Sequence, residues 1–193
     1  MARDRASRPE AKPLRLFVAV DVPDAVGSQL AGAIAPIRER VPGKWVPQEN
    51  WHVTMKFLGS TWPRLLEWVR ETCAQVAGEH EPIETSLTGL GAFPTAKRAR
   101  VLWAGLDDPG GHLARIAASL DESLAAEFKL ETRAFTAHLT VARFDPRVAL
   151  DDELGATQVS SEPFPIDRLV LYRSHLRRPA PVYEPVGEFS LGR

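Results

Sequence analysis

A single cysteine, Cys73, in 193 residues leaves no intramolecular disulfide to be made, which points to a reducing compartment and to a core that holds without covalent staples. No apolar run approaches the roughly 18 residues that span a bilayer. The opening Met1-Ala2-Arg3-Asp4-Arg5 has no hydrophobic stretch behind it and does not read as a secretory signal. A cytoplasmic location and no membrane association are expected. Charge of one sign is also lacking. The formal net charge is −1, with 24 basic and 25 acidic side chains, so an extended grip on many nucleic-acid phosphates is excluded. A short or end-bound oligonucleotide stays compatible. What is present is an ordinary balance of 44% hydrophobic and 25% charged residues, long enough to bury a sizeable core.

Residues 1–13 are polar, with Pro9 and Pro13, and are expected to form a flexible tail before a single domain over 14–193. Leu14–Val20 alternates and is rich in strand formers. Helical spacing then runs from Pro23 to about Arg40, with Val26, Leu30, Ile34 and Ile37 on one face and a kink or early end expected near Pro36. Trp45-Val46 is a short extended piece. Trp51–Leu58 reads as a strand closed by Gly59, Trp62–Val76 as a helix, and Ile83–Phe93 as one strand with an irregularity at Gly89 and Gly91. Strand Arg100–Leu106, a helix from His112 to Phe128 and strand Phe135–Arg143 follow. An irregular stretch with one helical turn then precedes strands Ile166–Leu176 and Val182–Phe189. This order argues for an α+β fold with mainly antiparallel sheets. The two halves echo one another, each with a helix and a strand bearing His-x-Thr, which suggests two facing lobes.

Those two tripeptides, His52-Val53-Thr54 and His138-Leu139-Thr140, carry the chemistry. Residues two apart on a strand share a face, so each segment presents an imidazole beside a hydroxyl. Histidine titrates near neutrality, so one ring can accept a proton while another donates one. The threonine hydroxyls can donate to oxygens on which charge builds. Opening a cyclic phosphodiester needs this set and no metal or other cofactor. So short a motif also arises by chance, and on spacing alone function stands only slightly ahead of two inert half-exposed strands.

The flanking residues decide between these. Trp45-Val46-Pro47-Gln48-Glu49-Asn50-Trp51-His52-Val53-Thr54-Met55-Lys56-Phe57-Leu58-Gly59 resembles the first signature of the 2H phosphoesterase superfamily. Within it the likeness is to the RNA 2′,3′-cyclic phosphodiesterases, also called 2′-5′ RNA ligases. Arg15–Val20 resembles that family's first strand. Leu90-Gly91-Ala92-Phe93-Pro94 and Val101-Leu102-Trp103 resemble its middle, and Arg133–Arg143 its second signature. Leu169–Ser174 and Tyr183 resemble its end. Ala137 departs from the proline common just before the second histidine.

The resemblance implies a bilobal fold in which two mainly antiparallel sheets line a central cleft, with helices outside. It implies His52 as proton donor to the leaving oxygen and His138 as proton acceptor from water. It further implies hydrolysis of RNA 2′,3′-cyclic ends to 2′-phosphomonoesters, with 2′-5′ ligation as a weak reverse activity. The expected substrates are RNA 3′ ends or small cyclic nucleotides, with no obligate protein partner. Thr54 and Thr140 are the candidate phosphate ligands, with Arg143 as a further one. Strict alternation puts Arg143 on the face opposite His138, so it reaches the cleft only across a bulge. Phe17 is a candidate for stacking a base, as is Trp45, with core packing the competing role for each.

Two other classes of function remain open at this point: a non-catalytic binder of RNA ends or nucleotides on the same fold, and a metal hydrolase using the histidines as ligands. Cys73 reads as core. His80 and His112 read as surface or capping residues. His175, Lys97, Arg98 and Arg100 read as a solvated basic face, and Asp107-Asp108 and Asp151-Asp152 as helix caps.

Overall fold

The structure is a computed structural model and describes residues 12–192; the tail expected over 1–13 falls outside it up to residue 11. Ten strands and four helices follow in the order β1 (Leu14–Asp21), α1 (Asp24–Arg40), β2 (Lys44–Trp45), β3 (His52–Thr61), α2 (Leu66–Gly78), β4 (Ile83–Thr85), β5 (Leu87–Phe93), β6 (Ala99–Leu106), α3 (His112–Ser123), β7 (His138–Val148), α4 (Asp151–Ala156), β8 (Phe164–Ile166), β9 (Arg168–His175) and β10 (Val182–Ser190). Among the described residues no helix is long and apolar enough to cross a membrane.

The fold is α+β. One sheet has the order β10-β9-β1-β3-β7-β6-β5, with β2 also on β7, and β4-β8 form a small second sheet. Every pairing is antiparallel. The large sheet is two lobes, β10-β9-β1-β3 and β7-β6-β5, joined where Val53 pairs with Leu139. The two expected sheets are therefore continuous through a single bridge. Alternation explains the layering. Val53, Met55 and Leu58 of β3, and Leu139, Val141 and Phe144 of β7, are buried with the apolar stripes of α1, α2 and α3. His52, Thr54, His138 and Thr140 lie half-buried on the other face.

Several boundaries differ from expectation for local reasons. Helix α1 runs through Pro36 because that residue and Gly32, whose carbonyl loses its partner there, are both exposed to water. Gly59, with φ +66°, does not close β3. It marks an irregularity against β1, and the strand continues to Thr61. Ile83–Phe93 divides at Ser86 between the small sheet and the large one. Helix α3 ends at Ser123 and is followed by turns to Phe128. Strand β7 starts at His138 rather than Phe135 and continues past Arg143 to Val148.

Candidate active site

The antiparallel bridge Val53–Leu139 sets the layout. In that register His52 lies beside Thr140 and Thr54 beside His138, so each imidazole neighbours the hydroxyl of the other motif. All four motif residues are thus brought together.

Both imidazoles are anchored in the same way. His52 Nδ1 donates to the Asn50 carbonyl at 2.9 Å, and His138 Nδ1 donates to the Thr136 carbonyl at 2.7 Å. A carbonyl only accepts, so Nδ1 carries the proton in each ring and Nε2 is the atom left for chemistry. The Asn50 carbonyl is held in turn, because the buried Asn50 side chain donates to the Pro181 carbonyl at 2.8 Å. His52 Nε2 lies 3.1 Å from Thr54 Oγ1. The Ala137 carbonyl, next to His138, accepts from the Leu106 amide at 3.1 Å, so pairing to β6 fixes the backbone where the expected proline is absent.

Each imidazole has its own aromatic wall. His52 stacks on Phe17 at 4.8 Å and meets Tyr183 edge-on at 5.3 Å, and Phe17 stacks on Tyr172 at 5.4 Å. His138 meets Phe93 edge-on at 5.2 Å and Trp103 at 6.1 Å. The Trp103 ring reaches this place because Gly91 beside it has no side chain: a Cβ there would fall 2.1 Å from the indole. Phe17 is corrected as a stacking platform for a base. It is only 4% exposed, and its ring supports the imidazole. Trp45 is likewise packed against the core, its indole N–H donating to the Val41 carbonyl at 3.2 Å.

Arg143 stands on the same strand face as His138 and Thr140 because β7 bulges. Leu102 pairs with Ala142 but Trp103 with Thr140, so Val141 is an extra residue and alternation reverses after it. The positive charge of Arg143 is felt at both His52 and Tyr183. Strand β3 bulges at the equivalent point, skipping Met55 between Thr54 and Lys56. Phe57 therefore turns out to the same face as Thr54, 46% exposed, with the Arg15 guanidinium 4.8 Å above its ring.

Burial and neighbouring charges act on the His52 ring. Burial pushes His52 below the ordinary imidazole value. The Asn50 carbonyl and Asp21 work against that fall, while Arg143 and His138 add to it. Burial, Asp21 and its hydrogen bond hold the Tyr172 phenol protonated. Among the described residues no three His, Cys, Asp or Glu side chains gather into a metal-binding group. A cavity of about 520 Å³ shares Asp21 and Tyr172 with the surroundings of His52, but neither histidine nor either threonine lines it.

The remaining candidates lie apart from this chemistry. Cys73 is buried, and its thiol is pushed up to about 12 by burial. His80 bonds Ser119 at 3.0 Å, His112 accepts from Arg115 at 2.8 Å, and His175 bonds Glu184 at 2.7 Å. Asp108 caps α3 through the amides of Leu113 and Ala114. Sequence reasoning missed Asp21, Asn50, Tyr172 and Phe57. The signal for Tyr172 was its place in the Leu169–Ser174 stretch, and for Asn50 and Phe57 theirs in Trp45–Gly59; Asp21 and the outward turn of Phe57 needed register.

Comparison with known proteins agrees with this geometry. Residues 26–178 match the model of the 2′-5′ RNA ligase superfamily. The chain is 36% identical over 143 residues to an RNA 2′,3′-cyclic phosphodiesterase of Archaeoglobus fulgidus, covering 70% of this chain and 77% of that one. It is 32% identical over 171 residues to one from Aeropyrum pernix, covering 82% and 95%. The crystal structure of a Thermus thermophilus protein superposes with a TM-score of 0.80 at 28% identity, covering 93% of this chain and all of that one. With most of its length matched and both His-x-Thr segments on one face of the sheet, the chain belongs to the 2′-5′ RNA ligase superfamily.

Proposed function

We propose that this protein hydrolyses RNA 2′,3′-cyclic phosphodiester ends to 2′-phosphomonoesters by two-histidine acid/base catalysis that needs no metal. The observation that carries this reading is the matched anchoring of the two imidazoles. Each has Nδ1 tied to a carbonyl two residues upstream, which leaves Nε2 for proton transfer. Similar proteins bearing the name RNA 2′,3′-cyclic phosphodiesterase support the substrate class.

The reaction follows from the parts. Water attacks phosphorus while His138 Nε2 takes its proton. The bond from phosphorus to the ribose 3′ oxygen breaks, and His52 gives that oxygen a proton. Thr54 and Thr140 donate to the non-bridging oxygens, and Arg143 balances their charge. With His52 protonated, its Nε2–H can donate to Thr54 Oγ1, and the hydroxyl proton of Thr54 is then free for phosphate. The same attack with a 5′ hydroxyl in place of water opens the ring to a 2′-5′ linkage, and it is disfavoured because that hydroxyl is dilute in water.

The test is turnover of 2′,3′-cyclic mononucleotides and of cyclic-ended RNAs in the presence of chelator, with the product phosphate located. Formation of 2′-phosphate without metal is the expected result. A 3′-phosphate product, or dependence on added metal, defeats the mechanism. Affinity for a nucleotide 2′-phosphate with no turnover marks a binding protein instead.

A further inference from the structure

The two motif strands are near copies: the same His-x-Thr spacing, the same Nδ1 anchor and the same bulge directly after the threonine. Their neighbours differ. In β1 the residue paired with His52 is Asp21, and in β6 the residue paired with His138 is Gly105. Paired residues project to the same side, so a carboxylate stands beside one imidazole and nothing beside the other.

Asp21 does not bond the His52 ring, whose nitrogens are engaged by Asn50 and Thr54. It accepts the Tyr172 hydroxyl at 2.9 Å. Tyr172 stacks on Phe17, and Phe17 on His52. The side chain that fixes the carboxylate is thus part of the aromatic wall that fixes the imidazole.

We propose that Asp21, clamped by Tyr172, is the positioning residue that gives the proton-donor role to His52 and leaves the acceptor role to His138. This rests on the two-histidine reaction above. A nearby anion favours imidazolium, and Gly105 offers none to His138. The other groups facing His52 are accounted for. Arg143 and His138 from β7 oppose its protonation, as burial does, and the Asn50 carbonyl favours it. Tyr183 from β10 and Tyr172 from β9 stay neutral, because burial raises both. Asp21 is therefore the one anion found to support the imidazolium among the described residues. The substrate phosphate, itself an anion between the two motifs, adds to that support when bound.

Two measurements on the free and working protein test this. The first is the titration of the His52 and His138 rings by proton NMR, assigned with His52→Gln and His138→Gln. Asp21→Asn keeps the shape and an acceptor for Tyr172, and should move the His52 midpoint to lower pH with a smaller change at His138. Tyr172→Phe, which frees the carboxylate, should act in the same direction and less. Asp21→Glu should restore most of the shift.

The second is kcat/KM against pH on a 2′,3′-cyclic mononucleotide. In Asp21→Asn the maximum should fall about three- to tenfold and move to lower pH, since fewer molecules hold His52 protonated while His138 is neutral. Ring titrations need no turnover. Failure of the wild type to hydrolyse cyclic phosphate therefore defeats the proposed reaction without touching the Asp21–His52 relation. An active protein in which Asp21→Asn leaves both the His52 titration and the profile unmoved overturns the role of Asp21. So does a larger shift at His138 than at His52.

Discussion

Val53 pairs with Leu139, and through that pair the two halves of the sheet meet with their histidines diagonally opposed. The register gives each histidine a threonine from the other lobe as its neighbour. In the reaction proposed above, a phosphate between these strands has a proton carrier on each side and a hydroxyl beside each carrier.

Removing either carrier should cost the chemical step. His52→Ala and His138→Ala should each lower kcat by roughly 10²–10⁴ on a cyclic mononucleotide, with a smaller effect on KM. The proposed reaction uses both rings in one proton-transfer sequence, so the double variant should lose far less than the product of the single losses. Steady-state rates in chelator measure this. Full activity in either single variant would remove that ring from the mechanism.

Valine replaces threonine in shape but has no donor. Thr54→Val and Thr140→Val should each lower kcat, by up to the ~10²–10³ known for a lost oxyanion donor. They should differ in pH dependence. Thr54 also bonds His52 Nε2 at 3.1 Å, so Thr54→Val should move the rate profile. Thr140→Val should lower it without displacement.

Much of this was legible in the sequence, for a physical reason. Alternation in Trp51–Leu58 and around His138 fixed which residues share a face, and that needs no partner strand. Register is a property of two strands, and what depends on it was not legible. The bulges at Met55 and Val141 reverse the alternation, so Arg143 reads as pointing away from His138 although its charge is felt at His52. Phe57 is turned outward by the same device, and the position of Asp21 opposite His52 is also a matter of pairing. Phe17 kept two readings, stacking and packing, because an aromatic on such a strand looks the same in sequence whether its ring is free or covered; at 4% exposed it packs.

Arg143 should act on binding more than on chemistry. Arg143 follows the bulge after Thr140 on the same face of β7, and hydrogen bonds to a charged group are worth about 1.5–3 kcal/mol. Arg143→Ala should therefore raise KM about ten- to a hundredfold. Arg143→Lys should recover the charge but not a two-pronged contact, and should fall between. The same Arg143→Ala should let the His52 midpoint rise, since Arg143 opposes its protonation.

Burial of His52 has a consequence for stability with a definite sign. Its folded value lies below the ordinary 6.5, so the unfolded chain binds this proton more readily. Above 6.5 both states are neutral at this site and it contributes nothing. As pH falls below 6.5 the unfolded state gains, and stability drops until the folded value is passed. Urea unfolding from about pH 7.5 to about pH 5 should show a smaller acid loss in His52→Gln than in the wild type. A nucleotide 2′-phosphate should raise the His52 midpoint and be taken up with a proton.

The β3 bulge has a second product on its buried side. Lys56, only 2% exposed, is paired with Asp121 of α3 and donates to the Lys129 carbonyl at 2.7 Å. Asp121 also accepts the Glu131 amide at 3.0 Å. This pair, buried at Lys56 and half-buried at Asp121, ties the motif strand to α3 and to the segment that leads on toward His138. Lys56→Met would leave the Asp121 carboxylate without its cation and should cost about 3–5 kcal/mol in unfolding free energy. Replacing both partners, Lys56→Met with Asp121→Leu, removes the stranded charge and should recover part of that cost, although the Glu131 amide loses its acceptor. A double variant no more stable than Lys56→Met would mean that the bonds to the 129–131 backbone, and not the ion pair, hold this face of β3 in place.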